Sequence, residues 1–151
     1  LFSIFIMLYS AGLIAQSDEL VLHGKILNLG KTIPLVTYEV MQDNETIEEG
    51  ITLQNGSFQL KLELGSVYDI TFSKDGYVTK QVGVIAKYPD EDISGRYFFQ
   101  MDLELFKINS DRLDETMLPP VAKLYIKEPD KGFTYDKDYV KWVSNHFEDL
   151  D

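Results

Sequence analysis

Ser57-Phe58-Gln59-Leu60-Lys61-Leu62-Glu63-Leu64 decides the fold class. Phe58, Leu60, Leu62 and Leu64 fall on one side of an extended chain and Gln59, Lys61 and Glu63 on the other, the pattern of a strand with one dry and one wet face. Gly65 breaks the run. A second alternation follows, with Tyr68, Ile70 and Phe72 facing one way and Val67, Asp69 and Thr71 the other. The same period returns in Tyr97, Phe99, Met101, Leu103 and Leu105, with Gln100, Asp102 and Glu104 in the wet positions.

Working outward, weaker strands occupy residues 20–27, with Leu22, Gly24 and Ile26 inward, then residues 36–42, 46–52 and 78–86. Between them lies turn chemistry: Asn28-Leu29-Gly30, Asp43-Asn44, Asn55-Gly56, Asp75-Gly76 and the loop from Pro89 to Gly95. Asn55-Gly56 between alternating runs predicts a hairpin closed by a type I′ turn, because both residues tolerate positive φ. Short, evenly spaced strands with no long helix between them predict an all-β, seven-stranded antiparallel sandwich. It spans residues 17–107.

Past Phe106 the texture changes. Residues 108–132 read as a polar connector interrupted by Pro119-Pro120, with one extra strand at residues 121–126 whose orientation the mixed faces leave open. Residues 133–151 form a C-terminal amphipathic helix, since Tyr139, Trp142, Val143, His146, Phe147 and Leu150 recur at helical spacing. Such a stripe requires a partner, and Tyr139, Trp142 and Phe147 are the candidate partner-binding residues.

The chain has 151 residues, 44% of them hydrophobic and 26% charged, enough for one core-bearing domain. A formal charge of -11 repels phosphate and argues against nucleic acid as a partner. With no cysteine, disulfides, thiolate metal sites, a cysteine nucleophile and a lipobox are all excluded. Residues 1–16 carry no charge, are too short to span a bilayer, and end in small residues before Ser17, Asp18 and Glu19. They read as a signal peptide cut after Ala15 or Gln16, clipped of its initiator and charged n-region, which leaves no membrane span after cleavage.

Chemistry-bearing constellations are sparse. His23 and His146 lie on a strand and on the terminal helix, outside any metal-ligand spacing, and no serine sits in a nucleophile elbow. Asp90, Glu91 and Asp92 lack the spacing of a calcium loop and read as a solvated loop tip. The sequons at Asn44 and Asn55 coincide with turns, which explain these asparagines without a glycan. No catalytic residue, metal site or cofactor is expected.

The order His23-Gly24-Lys25-Ile26, Pro34-Leu35, Val40, the run from Thr52 to Phe58 and the run from Tyr68 to Tyr77 resembles the carboxypeptidase regulatory-like domain over residues 20–106. That family is transthyretin-like (prealbumin-like) and related to the Cna B-type repeats. The resemblance implies a non-catalytic module of exported proteins, periplasmic or extracellular in the Gram-negative cell envelope, where it serves structure or protein binding. The implied partner is another envelope protein or an attached domain. The segments around Lys123-Leu124-Tyr125 and Phe133-Thr134-Tyr135 look similar to the tails such modules carry. Cna B-type repeats cross-link a lysine to Asn or Asp with help from a core Glu. Phe72 stands where that Glu is expected, so no isopeptide bond is predicted, although Lys25 faces Asp102 or Glu104 in projection. The alternative function is a carbohydrate or small-ligand binding module, for which Phe98 and Phe106, out of phase with the inward set, are the indication.

The export reading predicts a mature chain beginning at Gln16 or Ser17, read by mass spectrometry of the N-terminus. Recovery of the intact leader on cytoplasmic protein would overturn it.

Overall fold

The computed structural model describes residues 17–108 and 119–148; the leader, residues 109–118 of the connector and Leu150 of the apolar stripe lie outside the described residues. The described elements are β1 (Glu19–Asn28), β2 (Lys31–Thr32), β3 (Thr37–Gln42), β4 (Glu45–Ile51), β5 (Ser57–Glu63), β6 (Val67–Ser73), β7 (Lys80–Ile85), β8 (Arg96–Gln100), β9 (Leu103–Glu104), β10 (Ala122–Glu128), β11 (Gly132–Tyr135) and α1 (Lys137–Glu148). They form two facing sheets and one terminal helix, an all-β sandwich.

In the first sheet β1 is central. It pairs antiparallel with β5 from Glu19↔Glu63 to Lys25↔Ser57, and its last two residues pair with β2. Its other edge pairs parallel with β8 and then, further along, with β9. The second sheet runs β11-β10-β7-β6-β3-β4. Period-two alternation sends Leu20, Leu22 and Ile26 of β1 and Phe58, Leu60 and Leu62 of β5 inward. There they meet Val40, Tyr68, Ile70, Phe72, Val82 and Val84 of the second sheet. Phe58 and Phe72 join the layers, ring centroids 5.1 Å apart.

The inward assignments for β1, β5 and β6 agree with the alternation. Strand number and direction do not follow it fully. Among the described residues of the sandwich, nine strands, β1 to β9, stand where seven are expected, two of them only two residues long, and β10 is the extra strand expected beyond them. Parallel pairs β1–β8, β1–β9 and β7–β10 interrupt an otherwise antiparallel pattern. Alternation specifies which face a residue takes and is silent on strand direction; β8 and β10 each arrive by a crossover from the opposite sheet, and β9 continues from β8 along the same edge of β1. The strand at residues 121–126 acquires its orientation this way: beside β7, Leu124 and Ile126 turn into the core. The segment at residues 132–135 is β11 rather than helix, and α1 begins at Lys137 with Asp136 as its cap, Oδ1 accepting from Tyr139 N at 2.9 Å.

The Asn55-Gly56 turn is also of another kind. Because β4 belongs to the second sheet and β5 to the first, this turn carries the chain between sheets and closes no hairpin. Gly56 N donates to Leu53 O and Leu53 N to Ser57 O, both at 2.9 Å, and of the pair only Gly56 has positive φ, at 75°. The Asn55 carboxamide oxygen is engaged locally, accepting from Ser57 N at 3.0 Å and Ser57 Oγ at 2.6 Å. The two-residue turns with both φ positive are Leu29-Gly30, between β1 and β2, and Asp43-Asn44, between β3 and β4.

The long alternation at residues 97–105 is divided into β8 and β9 by a break at Met101 and Asp102. Met101 N donates to His23 O at 2.8 Å, and the Asp102 carboxylate accepts from Lys25 N at 3.0 Å, so its side chain stands in for a missing backbone partner. The Met101 carbonyl occupies the space that a Cβ on Gly24 would need.

Three glycine substitutions test this arrangement in urea melts. Gly24→Ala should cost about 1–3 kcal/mol by driving a methyl into the Met101 carbonyl. Gly56→Val should cost roughly as much, through positive φ and a Cβ placed 2.8 Å from Ile33 O and 3.0 Å from Ile26 O. Gly83→Ala on β7, with its nearest neighbour at 3.8 Å, should stay within about 0.5 kcal/mol of wild type.

Candidate functional site

The terminal helix divides its aromatic residues between two tasks. Val143 is 2% exposed. Tyr139 is tied to the sandwich: its hydroxyl donates to Pro120 O at 2.7 Å, and the Lys123 ammonium lies 4.4 Å from its ring centroid. Burial pushes the Tyr139 phenol pKa up. Trp142 faces outward, 49% exposed, with the Tyr139 ring at 6.0 Å and the His146 ring at 4.4 Å. The side chain of Phe147 lies outside the described residues. The predicted stripe is therefore split, with Tyr139 and Val143 turned to the fold and Trp142 at the surface.

A second feature is a groove of about 650 Å3 over the outer face of the first sheet. Strand register builds its floor. His23 on β1 is paired with Gln59 on β5 and with Gln100 on β8, and all three belong to the outward set. Lys25, Ser57 and Asp102 extend the lining, and Ile51, Thr52 and Leu53 line it from the passage between sheets. The neighbouring register row holds Lys61, Val21 and Phe98, of which Phe98 is 64% exposed. At the end of the face Arg96 Nε donates to Glu19 Oε1 at 2.7 Å, and this bond holds the Glu19 carboxyl below its usual range. Phe98 is the outward aromatic that the sequence indicates. No local spacing ties His23 to Gln59 and Gln100, because these partners come from strands far apart in the chain.

The third feature went unread. Lys80 is in phase with Val82 and Val84 on the inward side of β7, and that coincidence of a lysine with an apolar alternation was the available signal. It is buried, its Nζ 4.1 Å from the centroid of the Phe106 ring. Burial pulls its pKa down to about 8, while the Glu104 carboxylate opposes that shift. Glu104 Oε1 accepts from Gly30 N at 3.0 Å; Oε2 is buried without a hydrogen-bond partner among the described residues. Phe106 is thus a lid over this ammonium and not a free aromatic.

His146 lies against Trp142, whereas His23 is in the groove of the first sheet. Asp90 occupies a turn at φ 60°, beside the isolated bridge Tyr88↔Glu91. Among the described residues no group of three or more His, Asp or Glu is placed to hold a metal ion. Lys25 does face Asp102, but through its backbone amide.

Fold and surface together define a two-sheet β-sandwich module with a docked helix. No protein-family model and no curated protein matches the chain. Among solved structures it is similar to the Bacillus anthracis TIE protein, at 14% identity and TM-score 0.48, over 60% of this chain and 18% of that one. It is similar to 3-chlorocatechol 1,2-dioxygenase from Rhodococcus opacus at 14% identity and TM-score 0.45, over 63% and 62% of the two chains. A DUF3823 family protein from Parabacteroides merdae aligns at 21% identity and TM-score 0.42, over 60% and 47%. At these identities and scores the likenesses say nothing of activity.

The buried lysine sets a pH dependence. Between its folded value of about 8 and the ordinary 10.5, the unfolded chain holds a proton that folded Lys80 has released, so stability rises with pH across that window. The urea midpoint of the wild type should climb from pH 8 to about 9.5, a gain on the order of 1–2 kcal/mol. Above that range the buried Tyr68 and the half-buried Tyr139 phenols, whose values are raised, reverse the trend. Lys80→Met should flatten the climb; a climb that persists in the variant would assign it to other groups.

Proposed function

We propose that the chain is a non-catalytic, exported structural or protein-interaction module with a carboxypeptidase regulatory-like sandwich, working in the Gram-negative cell envelope against another envelope protein or an attached domain. The observation that carries this reading is Trp142. A tryptophan left half exposed on a helix whose Val143 is fully buried is arranged for a contact that the sandwich does not itself make. Burying such a side chain against a partner contributes on the order of 2 kcal/mol, and tryptophan is enriched among residues that dominate interfaces. The sandwich supplies rigidity. It fixes α1 through Tyr139 and Val143, so that Trp142 is presented without the loss of side-chain freedom that a loose helix would incur on binding.

Trp142 is the only tryptophan, so its emission reports this surface directly. Purified protein should show red, acrylamide-accessible emission. Trp142→Ala should leave the urea midpoint within about 0.5 kcal/mol of wild type, whereas Val143→Ala should cost roughly 1–2 kcal/mol. A photo-crosslinker at position 142 in envelope preparations should give a discrete adduct that one at position 48 does not. Blue, shielded emission, or equal adducts from both positions, would overturn the assignment.

A further inference from the structure

We propose that the outer face of the first sheet is a binding site for a neutral carbohydrate chain, with Gln59, His23 and Gln100 as its hydrogen-bonding row and Phe98 as its stacking surface. Adjacent strands are about 4.8 Å apart, so the three side chains repeat across β5, β1 and β8 at a spacing comparable to the length of one pyranose ring. Each amide offers both donor and acceptor, which is what a hydroxyl needs, and the imidazole adds two ring nitrogens between them. Gln59 and Gln100 are exposed and His23 is half-buried, and none of the three side chains is hydrogen-bonded to another of the described residues. Phe98, one register row away, is 64% exposed, with the Arg96 guanidinium carbon 5.8 Å from its ring centroid and Val21 beside it 3% exposed, so the ring stands on a filled surface with a cation at one side. An aromatic face next to planar polar groups suits a sugar, whose ring presents C–H bonds on its face and hydroxyls at its edge.

Charge narrows the ligand further. This face carries Lys25, Lys61 and Arg96 against Glu19, Glu63 and Asp102, a balanced set in a chain of net charge -11. The acids are concentrated elsewhere, with Glu39, Glu45, Glu48 and Glu49 on β3 and β4. A balanced, hydrogen-bonding face neither collects polyanions nor offers the dry enclosure that an apolar ligand requires. The groove of about 650 Å3, lined by His23, Gln59 and Gln100 with Phe98 in the next register row outside it, accommodates a few sugar units.

The test is affinity electrophoresis of the whole chain in native gels containing barley β-glucan, xyloglucan, galactomannan or soluble starch, with alginate as a polyanion control. At least one neutral polysaccharide should retard the protein and alginate should not. Phe98→Ala and the double change Gln59→Ala with Gln100→Ala should each weaken that interaction roughly five- to tenfold. Both variants alter exposed side chains, and their urea midpoints confirm that they fold. Trp142→Ala should leave retardation unchanged, which separates this site from the helix surface. No retardation by any neutral polysaccharide, retardation by alginate alone, or retardation indifferent to both face variants would each overturn the proposal.

Discussion

Gly24 leaves the space into which the Met101 carbonyl drops, and that close approach lets β1 hold one strand along both ends of the same edge with a break between. Above the break β8 runs beside Glu19 to His23, below it β9 runs beside Ile26 and Leu27, and at the break the Asp102 carboxylate satisfies Lys25 N. A side chain at position 24 would lift the crossing strand off β1. Leu103 and Leu105, which enter the core immediately after the break, would lose their register, and the Leu105 N to Leu27 O bond at 2.7 Å would go with them. The first sheet, and the groove on its outer surface, depend on this single absent methyl group.

What the sequence makes legible is governed by range. Phe58, Leu60 and Leu62, or Tyr68, Ile70 and Phe72, disclose their face because the relevant period is two and the information lies within one strand. Direction and partnership involve residues far apart, which is why the parallel pairing of β10 with β7 has no local sign. The Asn55-Gly56 turn shows the same limit. The pair is suited to positive φ, but whether the chain turns back on its own sheet or crosses to the other depends on where β5 finds its partner, and that partner is β1.

The candidate sites follow the same rule. The helical stripe was readable from its spacing, yet the division of labour within it was not: Tyr139 is claimed by Pro120, just ahead of β10, and by Lys123 on β10, the strand that α1 packs on, and Trp142 is left over. Phe98 could be found because it is out of phase with its own strand. His23, Gln59 and Gln100 each look like an ordinary wet-face residue until three strands are laid side by side. Lys80 is the converse case, an inward lysine hidden by the apolar residues around it.

The distribution of charge completes the picture. One edge of the second sheet is β4, and that strand carries Glu45, Glu48 and Glu49 with Glu39 beside them. Another copy approaching this edge would bring its own acids against these, and the repulsion blocks the edge-to-edge pairing that an exposed strand otherwise invites. The outer face of β5, β1 and β8 lacks that protection, since its cations and acids balance and Phe98 stands in the open. An exposed phenyl ring on a charge-balanced sheet face is a solubility liability in a protein with no use for it. The strongly acidic edge and the charge-balanced face thus stand in opposite relation to partners: one is built to remain unpaired, and the other turns Gln59, His23 and Gln100 outward in a row.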